Sequence, residues 1–182
     1  MLETIVIIAI VLALVIAVVL ILAATKPAEF RVERAAVIEA PPEKIFSLID
    51  DFHQWRAWSP WEDRDPALKR SYEGAPRGRG AVYAWEGNRN VGAGRMEILS
   101  ATSPSAIVIK LDFIKPFEGH NTAEFTMLPR GGATDAGTNV IWAMHGPAPL
   151  MNRVMQVFMN LDRMIGKDFE AGLANLKKAS EH

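Results

Sequence analysis

The chain has no cysteine, so no disulfide framework holds it together in any compartment. Its histidines, His53, His120, His145 and His182, show no HExxH spacing, and without thiolates a structural or catalytic zinc site is not expected. A nucleophile elbow, a P-loop and a dinucleotide fingerprint are all absent, and no cofactor is expected. Neither charge is in excess: 20 Lys and Arg stand against 21 Asp and Glu, a formal net charge of -1. That balance, with no recognition motif beside it, argues against a nucleic-acid partner. Internal repeats and low-complexity tracts are missing too.

What is present, at the start, is a long apolar run. From Ile5 to Ala24 every residue is Ile, Val, Leu or Ala. As a helix rising ~1.5 Å per residue, the run spans ~30 Å, the thickness of a bilayer's hydrocarbon core. There each backbone N–H and C=O must be satisfied within the segment, which outweighs the poor helix propensity of β-branched residues in water. No polar stripe marks a face, as it would on a helix of a soluble core. The rival reading is a cleaved signal peptide, which calls for a basic n-region, a shorter apolar core and a small-x-small cleavage site. Here Glu3 is the one charged side chain before the run, and Ala23-Ala24-Thr25 is a weak site. The expectation is therefore an uncleaved anchor over residues 1–26 that crosses the membrane with residues 5–24. Lys26, Arg31 and Arg34 follow the run and no Lys or Arg precedes it, so the positive-inside rule places the C-terminal domain in the cytoplasm.

Residues 25–182 carry all the basic and all but one of the acidic residues, and are enough for one core of ordinary size. Thr25 to Glu29 forms a short tether in which Pro27 discourages continuation of the helix. Phe30 to Ala40 reads as a strand, with Phe30, Val32, Ala36 and Ile38 on one face. Pro41-Pro42-Glu43 opens a helix whose apolar side is Ile45, Phe46, Leu48, Ile49 and Phe52. Trp55, Trp58 and Trp61 follow, then a polar turn from Glu62 to Pro66. Strands are expected near 69–74, 80–86, 93–101, 106–115, 120–129 and 138–145, separated by turns such as Gly87-Asn88-Arg89-Asn90 and Arg130-Gly131-Gly132. Alternation is clearest in Ile107, Ile109, Leu111 and Phe113, whose opposite face carries Lys110 and Asp112. One long helix is expected from Leu150 to Ala179, with Val154, Phe158, Leu161, Ile165, Phe169, Leu173 and Leu176 as its buried stripe. Such an order gives an antiparallel sheet with its helices on one face, an α+β architecture.

This pattern resembles the START-like, or SRPBCC, superfamily, in its polyketide cyclase/dehydrase and lipid transport branch. The residues that carry the resemblance are Ile38-Glu39-Ala40-Pro41-Pro42-Glu43-Lys44-Ile45-Phe46, Asp51-Phe52, Trp55, Trp58 and Ser59-Pro60-Trp61. Asp65-Pro66, Tyr72-Glu73-Gly74, Trp85-Glu86-Gly87 and Gly166-Lys167-Asp168-Phe169-Glu170 with Gly172-Leu173 add to it. The resemblance covers about residues 30–178. It implies a helix-grip fold, in which a curved antiparallel sheet wraps the last helix around a deep apolar cavity. One fold hosts many functions, so it narrows the architecture more than the activity.

On that fold the cavity would be lined by Tyr83, Trp85, Met96, Ile107, Ile109, Leu111, Phe113, Phe125, Trp142 and Met144 from the strands, and by Phe158, Asp162 and Ile165 from the last helix. Periodicity reports burial without distinguishing a void from a filled core, so both stay open. The three tryptophans suit either a gate at the cavity mouth or an apolar plug, and large buried aromatic area favours the plug. Asp162 lies beside the buried stripe, where it either meets a ligand or pairs with a sheet arginine such as Arg95; the ion pair is the stronger reading. Gly166 in a helix interior costs about 1 kcal/mol against Ala, which implies close packing or room for a ligand. The leading expectation is a membrane-anchored domain that binds a hydrophobic small molecule or lipid, with no catalytic residue assigned. A cyclase or dehydratase using Asp162, His120 or Tyr83 is the alternative, and a structural domain with a filled core is another.

The charge bias yields a direct test of topology. Protease added to intact cells or spheroplasts should leave the domain uncut, and digestion with cytoplasmic markers intact would reverse the orientation.

Overall fold

The computed structural model describes residues 1–131 and 137–181. The apolar run forms helix α1, Leu2–Ala24, whose central window is not buried by any other part of the chain. Beyond it, a seven-stranded antiparallel sheet has the order β1-β7-β6-β5-β4-β3-β2. The strands are β1 Glu29–Ile38, β2 Lys69–Gly74, β3 Ala81–Glu86, β4 Ala93–Thr102, β5 Ala106–Lys115, β6 Gly119–Pro129 and β7 Thr138–Pro147. Each expected strand is found within two residues of its bounds. The end of the predicted turn at Gly132 lies outside the described residues.

β1 and β2 are the two edges, so the chain between them must cross the whole sheet. It does so with α2, Pro42–Ile49, and a 3-10 helix, Phe52–Ala57. Pro42 opens α2, where its missing N–H has no partner to lose. Ile45, Phe46 and Ile49 then face the core. Two register shifts in the β4–β5 pairing, at Ala93/Gly94 and Ile98/Ser100, bend the sheet toward its inner face.

The single long C-terminal helix is corrected to two. α3 spans Leu150–Phe158 and α4 spans Leu161–Glu181, separated by Met159 in an extended conformation. The break has a local cause: Asn160 Oδ1 accepts the Arg163 N–H at 2.9 Å and caps the start of α4. The expected stripe therefore divides. Phe169, Leu173 and Leu176 are buried against the sheet, whereas Phe158 is 71% exposed and α3 has no buried residue. Instead α3 packs beside α1, where Ala23 is buried and Val19 half-buried.

α4 crosses β1 and β7, and its far end is pinned where Lys177 Nζ donates to the Val37 carbonyl and Glu181 accepts from the Glu39 N–H. Gly172 lets it sit close: a Cβ there would lie 2.6 Å from Trp142 Cζ3. Phe169 thereby stacks on Trp142 with ring centres 4.2 Å apart. Phe169→Ala should lower stability by about 3–5 kcal/mol in urea titration, the range for a buried aromatic truncated to a cavity. A loss under about 1 kcal/mol would show that this stack does not hold the helix to the sheet.

Candidate functional site

The inner face of the sheet changes character along its length. At its centre the rings are closely packed. Trp142 lies between Phe169 and Phe125, the latter 4.9 Å away, while Trp58 meets Phe125 and Trp142 edge-on at 6.0 and 5.6 Å. Trp55 and Trp58 are buried, and their indole N–H groups donate to the carbonyls of Ile49 and Leu48, both at 2.9 Å. Trp61 is half-buried over Trp142 and Phe169. The tryptophan cluster is a plug locked by hydrogen bonds to α2, as expected.

Toward one end of the sheet the packing thins. On the inner face of β5, Ile107 and Ile109 are fully buried, whereas Leu111 and Phe113 are half-buried. The strand pairing fixes which end this is. Phe113 pairs with Gly119, Thr122 with His145, and Pro147 with Glu29, so the thinly covered end is the one from which β1 leads back to α1. Of the other expected residues, Tyr83, Met96, Phe125, Trp142 and Met144 are buried on the inner face, and Trp85 and Ile165 are half-buried. Trp85 and Phe113 meet edge-on at 6.0 Å across β4. Trp85, Leu111 and Phe113 are thus the half-buried apolar side chains toward this end.

Phe158 and Asp162 are placed elsewhere. They line a groove of about 520 Å³ at the edge of the sheet, between Lys26–Val32 and the α3–α4 corner. A smaller groove of about 170 Å³ runs past His53 and Tyr72, whose rings stack at 4.1 Å.

The ionisable groups do not converge. Asp162 pairs with Arg34 at 3.0 Å, and Arg34 also donates to Glu170 at 2.8 Å. The expected partner Arg95 pairs with Glu97 at 2.9 Å instead, because it lies far across the sheet on β4. The guanidinium of Arg34 fills the space above Gly166, which settles that glycine as close packing. Hydrogen bonds from Arg34 hold the Asp162 carboxyl below the usual carboxylate range, so it is a poor proton acceptor. Tyr83 donates to Glu62 at 2.7 Å, and Glu62 in turn pairs with Arg70 at 2.6 Å. Burial, and then the Glu62 charge, push the Tyr83 hydroxyl well above its ordinary value, so it stays protonated. His120 is on the outer face, where the hydrogen bond to Asp112 at 2.7 Å raises its pKa. Among the described residues no group of three or more His, Asp or Glu is placed to hold a metal ion.

Two of these residues escaped the sequence reading. Arg34 is the one charged member of the period-two face Phe30, Val32, Arg34, Ala36 and Ile38, a signal that was available. Glu62 sits in a stretch that reads as a polar turn, and nothing local marks its burial.

The chain matches the family described as polyketide cyclase / dehydrase and lipid transport over residues 29–181. It belongs to that family. The match starts with β1 and ends with α4, leaving α1 outside. No curated protein matches it. Among solved structures it is similar to a protein of unknown function from Staphylococcus aureus, with TM-score 0.61 and 14% identity over 84% of this chain and 94% of that one. A Thermobifida fusca protein is 21% identical with TM-score 0.58, covering 81% and 90% of the two chains. The di-domain ARO/CYC BexL matches with TM-score 0.59 and 14% identity, over 88% of this chain and 53% of its own. At such identities these likenesses show a shared SRPBCC-like, helix-grip fold.

The Arg34–Asp162 pair makes a pH-dependent contribution of definite sign. Because the folded-state pKa of Asp162 is depressed, its stabilisation is present above the unfolded value, near 3.8, and is lost as pH falls through the folded value. Asp162→Asn should therefore lower the urea midpoint at neutral pH and flatten its fall below about pH 4. The same acid slope in variant and wild type would remove Asp162 as a source.

Proposed function

We propose that the chain is a membrane-anchored binding domain that receives a lipid or other hydrophobic small molecule at the mouth walled by Trp85, Leu111 and Phe113. The observation that carries this reading is the fall in burial along β5 toward the α1 end. Apolar inner-face side chains that no element covers cost free energy in water, and a hydrophobic ligand would offset it. Met96 and Met144 lie buried next to the wall and offer adaptable packing to an incoming chain.

Anchoring by α1 rests on its length, its composition and its exposed surface, with the basic residues Lys26 and Arg31 directly after it. It sets the mouth at the end of the domain from which the anchor departs, so a ligand would pass between site and bilayer over a short path. The family's description also names cyclase and dehydrase members, and BexL is itself an ARO/CYC protein. Against that alternative, Asp162, Tyr83 and His120 lie apart from one another, and the first two have pKa directions unsuited to proton transfer at neutral pH.

The test is paired, on full-length protein in detergent. Leu111→Trp fills the mouth at a half-buried position, so it should change the urea midpoint by less than about 1 kcal/mol equivalent. It should also abolish binding of an apolar fluorescent probe and deplete any lipid that co-purifies in native mass spectrometry. A large loss of stability, with no probe bound even by wild type, would sink the reading and leave a packed domain on a tether.

A further inference from the structure

We infer that α3 and the first turn of α4 form an interfacial platform that beds into the headgroup layer of the membrane crossed by α1. The inference rests on the anchored reading above and adds a second contact between domain and lipid. Its first support is position. α3 lies against the last turns of α1, at the level of Val19 and Ala23, so a membrane-spanning α1 holds α3 near the boundary between acyl chains and headgroups. The linkage leaves little freedom. Lys26 N–H donates to the Ala23 carbonyl at 3.2 Å, prolonging the end of α1, and Ala148 N–H, just ahead of α3, donates to the Ala28 carbonyl at 2.7 Å. Both ends of the tether are thus hydrogen-bonded, one to the anchor and one to the strand-to-α3 link.

The second support is what the platform exposes. Leu150, Met151, Phe158, Met159 and Met164 are all large, apolar and exposed, and they sit in a helix pair where no other element covers them. A water-facing surface of this kind is unfavourable on a soluble domain and expected on an in-plane helix. Phe117, 70% exposed in the β5–β6 turn, lies at the same end of the sheet.

Charge is the third, independent support. Lys26, Arg153, Arg163 and Lys167 surround this corner, and none has an ion-pair partner among the described residues. An anionic leaflet attracts the cations, and lipid phosphate oxygens accept from the N–H groups they expose. A lipid surface meets the exposed apolar side chains and the basic ones together; Glu29 and Asp162 share the corner, the latter paired with Arg34.

The absence of cysteine makes the test clean. Single-cysteine variants Met151→Cys, Phe158→Cys, Leu12→Cys and Ser105→Cys of the full chain are labelled with an environment-sensitive fluorophore and reconstituted in vesicles of phosphatidylcholine and phosphatidylglycerol. Lipids carrying a shallow or a deep nitroxide quencher then report depth. The labels at 151 and 158 should be quenched by the shallow lipid, that at 12 by the deep one, and that at 105, on the β4–β5 turn at the far end, by neither. Replacing phosphatidylglycerol with phosphatidylcholine, or introducing Arg163→Glu with Lys167→Glu, should weaken quenching at 151 and 158 and leave that at 12 unchanged. Quenching at 12 without quenching at 151 and 158 would overturn the platform while sparing the anchor. No quenching at 12 would overturn both. Disulfide cross-linking between two Met151→Cys chains, without lipid quenching, would assign the face to a second copy instead.

Discussion

The stacking of Phe169 on Trp142 is the contact on which the geometry of the grip depends. It sets the height of α4 above the sheet, and a stack at 4.2 Å is reachable only because Gly172 puts no side chain against the indole. Trp142 is held from its other face by Phe125 and from its edges by Trp58 and Trp61, so α4, β6, β7 and the α2–β2 crossover meet at one indole. Aromatic rings packed face and edge in this way bury large areas while keeping a fixed geometry, which makes the centre of the inner face rigid and full.

From that fixed point the rest of the arrangement follows. α4 begins at Leu161, where Asp162 meets Arg34 midway along β1, so the helix does not reach the α1-facing end of the sheet. Leu111 and Phe113, toward that end, are half-buried. The chain ahead of α4 turns at Met159 and lies as α3 beside α1. The half-buried inner-face side chains of β5 and the exposed Met151 and Met159 thus lie toward the end from which the apolar helix leaves.

Much of this was legible in the sequence. The long apolar N-terminal helix is a matter of composition alone. The strands announced themselves by period-two alternation and glycine-bearing turns, both local properties of the chain, and the superfamily resemblance correctly supplied the grip. Which side chains of β3 to β7 share a face is local for the same reason, since a pleated strand alternates them. Where the reading went astray, distance along the chain was the cause. A continuous 3/4 stripe through Phe158 hides a cap at Asn160, because an apolar stripe has the same spacing whether it meets a sheet or a membrane-proximal helix. Asp162 was expected to find an arginine and did, but the partner was Arg34 on β1 rather than Arg95, a choice made by which strand the helix crosses.

The sequence by itself determined the elements, their order and the faces they present, because those depend on side-chain spacing over a few residues. Only the tertiary structure decided that the aromatic cluster fills the centre, that burial falls along β5 toward the α1 end, and that α3 packs beside α1. Those outcomes depend on how far two faces approach, and that distance is set by packing among residues more than a hundred positions apart in the chain, such as Trp58 and Phe169 around Trp142.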